Sequence, residues 1–208
     1  MAKQLGFWID ASRCTGCRTC EVACKDKNNL PVRRNFRHVL CYEGGGWKQD
    51  RATGAWRTDA FAYYVSVSCN HCTDPACVKV CPTKAHFKRK EDGLVLIDRD
   101  KCIGCGMCAK ACPYGAPQLD VEAHKMTKCD GSQDRLATGL NRVCVDSCPQ
   151  RAIEFGDIEV LRKKHTGDTK HIAPLPDPAA TKPNLLVKAP RTAKPVGDKT
   201  GTVFGADR

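Results

Sequence analysis

The chain has 208 residues, of which 16 are cysteine, while 41% are hydrophobic and 6% aromatic. No run of about 18 uncharged apolar residues occurs, so we expect no membrane-spanning helix. The start, MAKQLGFWIDASRC, has neither an apolar segment nor a twin arginine, so the sequence predicts no secretory signal of its own. This composition argues against a collagen-like, disordered or membrane-spanning chain. It leaves a disulfide scaffold, a zinc protein or an iron–sulfur protein.

The chain is strongly basic, with 34 Lys and Arg residues against 23 Asp and Glu residues and a formal net charge of +11. Such a balance is typical of nucleic-acid-binding proteins. However, a 4Fe–4S cluster on four thiolates carries about −2 when oxidised, so four clusters would lower the total to about +3. The basic runs 88–90 and 162–164 have no interleaved aromatic residues on which bases could stack. We therefore expect no nucleic-acid partner.

Fifteen of the cysteines fall into four runs, and only Cys41 lies outside them. The runs are Cys14-x2-Cys17-x2-Cys20-x3-Cys24, Cys69-x2-Cys72-x4-Cys77-x3-Cys81-Pro82, Cys102-x2-Cys105-x2-Cys108-x3-Cys112-Pro113 and Cys129…Cys144-x3-Cys148-Pro149. The third run has the spacing and terminal proline of a bacterial ferredoxin, and the first differs by having Lys25 in place of that proline. Zinc sites use separated cysteine pairs, and cysteines this close rarely bridge each other. The repeated spacing therefore indicates iron–sulfur clusters.

In a run of this type, the first three cysteines bind one cluster from a short loop. We expect the fourth cysteine to lie at the start of a helix, with the proline in the first turn, and to bind the other cluster of a pair. The runs therefore have to pair, and each pair forms one two-cluster unit.

The order of pairing follows from the segments between the runs. The segment between the second and third runs predicts a strand, a turn at Asp92-Gly93 and a second strand, as expected between the halves of one ferredoxin unit. The β-prone segments 6–10 and 152–156 flank the first and fourth runs and could lie side by side. The first and fourth runs would then enclose the second and third. The alternative, first with second and third with fourth, leaves the hairpin unexplained.

The predicted fold class is α+β: two nested bacterial-ferredoxin-like units with an insertion hairpin and an extended C-terminal tail. The predicted boundaries are 1–30 plus 113–164 for the outer unit, 31–64 for the insertion, 65–112 for the inner unit and 165–208 for the tail. The tail is rich in Pro and Lys and has no helical or strand periodicity. We expect it to wrap a partner surface, the alternative being disorder. A short helix is predicted over residues 158–164.

The nested pairing predicts four sets of ligands drawn from distant parts of the chain. Cluster one takes Cys14, Cys17, Cys20 and Cys148; cluster two takes Cys24, Cys129 and Cys144; cluster three takes Cys69, Cys72, Cys77 and Cys112; and cluster four takes Cys81, Cys102, Cys105 and Cys108. We expect Cys41 to pack as a small hydrophobic residue. We expect His71 to hydrogen-bond near a cluster sulfur rather than bind iron.

Cluster two is one cysteine short, because Ser132 stands where the repeat requires the second ligand. Three possibilities are open: a serine alkoxide on the fourth iron, a 3Fe–4S cluster on three cysteines, or a ligand from Asp130, Asp134 or water. We therefore expect three 4Fe–4S clusters and one cluster of the 4Fe–4S or 3Fe–4S type. Loss of one thiolate and one iron would raise the reduction potential of that cluster.

No set of residues in the sequence has the pattern of a catalytic site. There is no Ser/His/Asp set, no glycine-rich phosphate loop and no pair of carboxylates arranged for acid–base chemistry. The sequence thus predicts a chain that carries electrons and has no catalytic residue of its own.

With the four runs in this order, the sequence resembles the iron–sulfur subunit (the B subunit) of dimethyl sulfoxide reductase-type molybdoenzymes over nearly its full length. The segments that carry the resemblance are GFWIDASRCTGCRTCEVACKD, AYYVSVSCNHCTDPACVKVCP, CIGCGMCAKACPYGAPQ, HKMTKCDG, CVDSCPQRAIEFG and the tail APLPDPAATKPNLLVK. The family pattern has cysteine at position 132, so Ser132 is a departure from it.

The resemblance implies an electron-transfer subunit between an integral, quinol-oxidising membrane anchor subunit and a molybdopterin catalytic subunit. Electrons would pass through clusters four and three, then two and one. It also implies a peripheral place on the cytoplasmic membrane through the anchor subunit, on the periplasmic face after co-export with the catalytic subunit. The alternatives are a freestanding polyferredoxin or an electron-transfer component of another redox complex. The terminal substrate is determined by the catalytic subunit and is not predicted by this sequence.

Overall fold

The computed structural model describes residues 3–168 and 171–205. Within these ranges, six short α-helices and twelve β-strands are mixed along the chain, which confirms the predicted α+β class. Residues 1–2 of the predicted outer unit and residues 169–170 and 206–208 of the predicted tail lie outside the described residues. None of the helices in the described ranges is long and apolar enough to cross a membrane.

The elements are short, as expected for a chain whose cysteines outnumber its aromatic residues. The helices are α1 (Thr19–Lys27), α2 (Ala76–Lys79), α3 (Met107–Ala111), α4 (Gln133–Ala137), α5 (Val143–Asp146) and α6 (Ile158–Lys164). The strands are β1 (Leu5–Asp10), β2 (Arg37–Gly44), β3 (Trp47–Gln49), β4 (Trp56–Thr58), β5 (Phe61–Ser68), β6 (His86–Lys88), β7 (Val95–Ile97), β8 (Gln118–Asp120), β9 (Lys125–Thr127), β10 (Ile153–Asp157), β11 (Leu185–Lys188) and β12 (Gly201–Phe204). Helix α6 occupies the predicted residues.

The central sheet has the order β10-β1-β11. Strand β1 pairs antiparallel with β10, as the flanking segments of the first and fourth cysteine runs predicted. All six residues of β1 are buried, because both faces of the sheet are covered. Phe7 and Ile9 face the main core, while Trp8 on the opposite face packs against Ile158 and Leu161 of α6.

A second sheet, of order β12-β2-β5, is built from the predicted insertion, the first residues of the predicted inner unit and the end of the chain. Strands β2 and β5 pair antiparallel over eight residues, and the short β3–β4 ribbon extends from them. Trp47 and Trp56 lie at the two ends of that ribbon and are exposed. The predicted insertion hairpin is thus present. Cys41 lies in β2, where it is buried as expected.

The hairpin predicted between the second and third runs is also present. Strands β6 and β7 pair antiparallel, from His86 opposite Ile97 to Lys88 opposite Val95. In the turn, the Asp92 carboxylate accepts a hydrogen bond from the Leu94 amide at 3.1 Å. The Asp92 carbonyl accepts another from the amide of Leu5 at 2.8 Å, which ties this hairpin to the central sheet.

The predicted place of the fourth cysteine in each run is wrong. Cys81, Cys112 and Cys148 follow the short helices α2, α3 and α5 instead of beginning a helix. The following proline disfavours helical backbone in the residue before it, and Cys112 accordingly has an extended ψ of 113°. In the first run, where Lys25 replaces proline, α1 continues through Cys24 and reaches nine residues.

The tail contains two strands that its sequence did not indicate. Described residues 171–205 contain a short 3₁₀ turn, Pro178–Ala180, and the strands β11 and β12. Strand β11 pairs parallel with β1, and β12 pairs antiparallel with β2. These strands form although the tail has no strand periodicity, because the apolar run Leu185, Leu186 and Val187 is long enough to be buried as a strand. The tail therefore packs on the chain itself.

Candidate metal centre

All sixteen cysteines have free thiols in the structure. In the described part of the chain, no three His, Cys, Asp or Glu side chains converge closely enough to hold a single metal ion. The cysteines instead surround small cavities or pack in groups of three and four. Helices and strand ends position them.

The cysteines predicted to hold cluster one line a single cavity: Cys14, Cys17, Cys20 and Cys148. The loop that carries the first of them begins where β1 ends, and the buried Asp10 carboxylate accepts hydrogen bonds from the amides of Ser12 and Arg13 at 3.0 and 3.2 Å. Burial raises the pKa of Cys14, and the neighbouring cysteines raise it further. Burial also raises the pKa of Cys20, whereas hydrogen bonds from Thr19 lower that of the exposed Cys17. A group that binds thiolates is needed to hold the buried sulfur atoms ionised there.

The cysteines predicted for cluster three also line one cavity: Cys69, Cys72, Cys77 and Cys112. Burial raises the pKa of Cys72 to about 11 and that of Cys77 to about 12. The same cavity is lined by Lys128, whose buried ammonium group acts to lower the pKa of Cys77. The donor set is therefore sulfur-rich, largely dry and close to a positive charge, which suits an iron–sulfur cluster.

The cysteines predicted for cluster four form a group around α3. Cys102 and Cys105 lie within electrostatic reach of Cys108, whose pKa burial raises to about 11. The side chain of Cys81 packs against the same buried group. Backbone amides donate to two of the sulfur atoms: Met126 to Cys102 at 3.3 Å and His86 to Cys81 at 3.5 Å. Such hydrogen bonds stabilise negative charge on sulfur.

The cysteines predicted for cluster two are all buried. Cys24 of α1 faces Cys129 and Cys144, and burial raises its pKa strongly, with further increases from these two neighbours. Helices α1 and α5 pack against each other, which brings Cys24 and Cys144 together although they lie 120 positions apart (144 − 24). The structure thus brings together the three cysteines of this set.

The four cysteine loops share one backbone feature. The residue before the second cysteine of each run has a left-handed φ: 73° at Gly16, 43° at His71 and 70° at Gly104. In the fourth loop the equivalent residue is Gly131, with a φ of 83°, and Ser132 follows it. Ser132 therefore occupies the backbone position of a second cysteine.

The other residues considered for the fourth ligand have partners of their own. The Asp130 carboxylate accepts a hydrogen bond from the Ser132 amide at 2.7 Å. The Asp134 carboxylate forms an ion pair with Lys27 at 2.9 Å and is mostly exposed. The Ser132 hydroxyl does not cap α4, the helix that begins directly after it.

Sequence reasoning missed two arginines beside the cluster-two cysteines. Arg37 and Arg142 are each 1% exposed. Burial acts to lower the pKa of Arg37, but the charges of Cys144, Cys20 and the remaining cysteines of the second set outweigh it, so the pKa is raised. Burial lowers the pKa of Arg142 to about 10, and Cys129 and Cys144 act in the opposite direction. Arg37 lies two and four residues before the apolar Val39 and Cys41, which puts it on their face of a strand, whereas nothing in the sequence distinguishes Arg142.

His71 is fully buried. Its Nδ1 accepts a hydrogen bond from the Val95 amide at 3.0 Å. Burial lowers its pKa well below the usual value, and Lys128 and Arg142 lower it further, so the ring is neutral. Its hydrogen bond to a cluster sulfur stays a prediction. Cys41 lies apart from the four sets, and its thiol donates to Glu43 at 3.5 Å.

These sulfur-lined sites and the short helix–hairpin elements define an iron–sulfur protein of the 4Fe–4S ferredoxin class. The comparisons with known proteins agree. A family model described as a 4Fe-4S dicluster domain matches residues 60–158, and one described as a 4Fe-4S binding domain matches residues 5–26.

Individual proteins of similar sequence show which family within this class the chain belongs to. The chain is 55% identical over 201 residues to the B subunit of anaerobic dimethyl sulfoxide reductase of Escherichia coli (strain K12), a match that covers 97% of this chain and 96% of the relative. It is 51% identical over 199 residues to the same subunit of Haemophilus influenzae, with 96% of each covered. The formate dehydrogenase iron-sulfur subunit of Wolinella succinogenes is 35% identical over 177 residues, covering 74% of this chain and 82% of the relative. The chain therefore belongs to the family of anaerobic dimethyl sulfoxide reductase B subunits, and it is an electron-transfer protein with 4Fe–4S clusters.

Proposed function

We propose that the chain holds four clusters on crossed ligand sets, and that the first and fourth runs enclose a unit formed by the second and third. The boundaries are those that the sequence predicts: 1–30 plus 113–164 for the outer unit and 65–112 for the inner unit. The paired strands β1 and β10 and the β6–β7 hairpin support this nesting. The cavities lined by four cysteines support the ligand sets of clusters one and three.

The observation that carries the proposal is the continuity of the four sets. Cys20 of the first set lies within electrostatic reach of Cys144 of the second. Cys129 of the second set is similarly close to Cys69 of the third. Cys77 of the third set packs in one cluster of buried side chains with the fourth set. Each ligand set therefore lies next to the following one, from cluster one to cluster four.

Both ends of this series reach the surface. Cys17 of the first set and Cys105 of the fourth are exposed, whereas all cysteines of the second set are buried. When bound, the clusters supply one-electron redox chemistry. The chain's own side chains hold them in order, exclude water from the middle of the series and leave the two end clusters accessible to redox partners.

We propose that cluster two is a 3Fe–4S cluster on Cys24, Cys129 and Cys144, because Ser132 stands where a fourth cysteine ligand is required. A serine hydroxyl has a much higher pKa than a thiol and is a poorer iron ligand at neutral pH. The carboxylates of Asp130 and Asp134 are engaged elsewhere in the structure. The other three clusters are of the 4Fe–4S type.

The partners follow from the family. We propose that the chain carries electrons from an integral, quinol-oxidising anchor subunit near cluster four to a molybdopterin catalytic subunit near cluster one. It would then sit peripherally on the cytoplasmic membrane, on the periplasmic face. The close match to relatives that are B subunits, along 97% of the chain, supports this function over a freestanding polyferredoxin.

The test is anaerobic purification of the full chain with its native partners, followed by analysis of iron, labile sulfide and molybdenum. We expect about 15 irons per chain (three clusters of four and one of three) and a molybdenum-containing partner. Cys17→Ser should lower the iron content, whereas Cys41→Ser, outside all four sets, should not. A chain without a molybdenum partner would favour the freestanding polyferredoxin, and equal iron contents of the two variants would overturn the ligand assignment.

A further inference from the structure

Two buried positive charges lie beside the cluster-two cysteines and need an anionic neighbour. Taking a guanidinium group out of water is strongly unfavourable unless a negative charge or several hydrogen-bond acceptors compensate it. Arg37 and Arg142 are both 1% exposed, and among the described residues neither forms an ion pair with a carboxylate. The groups around each guanidinium therefore indicate which negative charge compensates it.

Arg37 extends from β2 toward the boundary between the first and second ligand sets. Its Nη1 and Nη2 donate to the hydroxyls of Ser66 and Ser68, both at 3.0 Å. Ser66 in turn contacts the sulfur of Cys20 at 3.3 Å. The negative charges within reach of Arg37 are those of Cys20 and of all three cluster-two cysteines. It therefore lies between two predicted clusters.

Arg142 has even fewer partners. None of its three guanidinium nitrogens has a hydrogen-bond partner among the described residues, although all three are buried. Its guanidinium carbon lies 3.2 Å above the centre of the Phe155 ring and 5.0 Å from that of Phe7. These aromatic faces attract a cation, but they accept no strong hydrogen bond. The anions that act on it are Cys129 and Cys144, followed by the carboxylate of Asp130.

The position of Arg142 relative to the loop of Ser132 is specific. A methyl group added at Gly131 would come within 2.5 Å of Nη2 and 2.7 Å of Nη1. The guanidinium group thus lies directly against the backbone of Cys129-Asp130-Gly131-Ser132. It therefore lies next to the position at which cluster two lacks a fourth cysteine ligand.

We propose that Arg37 and Arg142 are positioning residues that supply the counter-charge of cluster two and raise its reduction potential. The inference rests on the proposed function, because it requires a cluster on Cys24, Cys129 and Cys144. Reduction adds one negative charge to a cluster, so nearby cations stabilise the reduced form more than the oxidised form. The free N–H groups of Arg142 would donate to sulfur atoms of the cluster. As a 3Fe–4S cluster beside two buried cations, cluster two has the highest potential of the four.

The test is an EPR-monitored redox titration of the full complex, purified anaerobically, with Arg37→Gln, Arg142→Gln and Arg142→Lys. We expect both Gln variants to shift the midpoint potential of cluster two to more negative values, beyond any shift of the other clusters. Arg142→Lys keeps the charge and should restore most of the wild-type potential. Arg51→Gln removes a charge of the same kind at an exposed turn residue and should shift nothing.

A second measurement does not depend on the variants folding. In wild-type protein labelled with ¹⁵N-arginine, pulsed EPR of cluster two should detect a nitrogen coupling from a guanidinium group. Unshifted potentials in the Gln variants, or no arginine nitrogen coupling, would overturn the inference while leaving the four clusters in place. A wild-type chain with no EPR signal from a cluster on Cys24, Cys129 and Cys144 would instead contradict the proposed function.

Discussion

The hydroxyl of Tyr42 donates a hydrogen bond to the carboxylate of Asp198 at 2.6 Å and accepts one from the amide of Gly201 at 2.9 Å. Tyr42 lies in β2, whereas Asp198 belongs to the tail, 156 residues further along the chain. One side chain thus fixes the turn that leads into β12. The tail is held by specific contacts to its own chain.

Tyr42→Phe should therefore loosen β12 without unfolding the rest of the protein. The ring keeps its packing against Phe61 and Tyr63, but both hydrogen bonds to the tail are lost. We expect faster amide hydrogen exchange over residues 201–204, measured by mass spectrometry under anaerobic conditions. Tyr63→Phe is the control, because its hydroxyl binds Ala173 and Lys194 instead. Unchanged exchange of β12 in Tyr42→Phe would show that strand pairing alone holds it.

Lys25→Pro should destabilise the chain although it restores the usual ferredoxin pattern. Proline inside a helix removes a hydrogen bond and clashes with the preceding turn, at a cost of about 3 kcal/mol. The Lys25 ammonium group also donates to the carbonyls of Pro31 and Arg34, at 2.6 and 3.1 Å. Lys25→Ala removes those contacts and the one to the Asn35 side chain at 3.2 Å but keeps the helical backbone, so it should cost less. Anaerobic chemical denaturation followed by circular dichroism measures both, and equal midpoints for Lys25→Pro and wild type would contradict the structural role of α1.

Gly131→Ala should cost about 1–3 kcal/mol and should also alter cluster two. The φ of 83° is unfavourable for alanine, and the new methyl group would displace the Arg142 guanidinium group. Gly139→Ala is a matched control, since its φ is 75° and nothing lies within 4 Å of the added atom. We expect a change in the cluster-two EPR signal for Gly131→Ala alone. The same signal in both variants would mean that Arg142 does not touch the cluster environment.

Ser132→Cys should convert cluster two from the 3Fe–4S to the 4Fe–4S type. A fourth thiolate would bind the fourth iron, which the site with serine lacks, so iron should rise from about 15 to about 16 per chain. The potential of the cluster should fall at the same time, because potential depends on cluster type and the all-ferric 3Fe–4S core is the more easily reduced of the two. Ser132→Ala should leave both iron content and EPR signal as in wild type. If Ser132→Ala changes the cluster signal, the serine oxygen is itself a ligand.

The sequence predicted those parts of the structure that depend on local spacing and turn chemistry. The hairpin around Asp92-Gly93 and the pairing of β1 with β10 follow from short β-prone segments beside turns or cysteine loops. The three cysteines that the sequence assigns to cluster two are buried, and Cys24 lies within electrostatic reach of the other two. The fourth cysteines were misplaced because the proline was assigned to the start of a helix, whereas it prevents the preceding helix from continuing.

Other features depend on tertiary packing and leave little trace in the sequence. Strand β11 has only four residues, and its pairing with β1 depends on a surface that exists only after folding. Arg142 lies in a polar segment and resembles a surface residue in sequence, although Phe7 and Phe155 enclose it from distant strands. A buried charge of this kind is fixed by what surrounds it, not by its neighbours along the chain.

The most direct measurement compares which EPR signal is lost in three single variants: Cys72→Ser, Cys112→Ser and Cys105→Ser. Crossed ligation predicts that Cys112→Ser perturbs the same signal as Cys72→Ser, because both thiolates line the cluster-three cavity. Cys105→Ser should perturb a different signal. If Cys112→Ser instead shares its altered signal with Cys105→Ser, each run holds its own cluster and the account of interlocked ligand sets is contradicted.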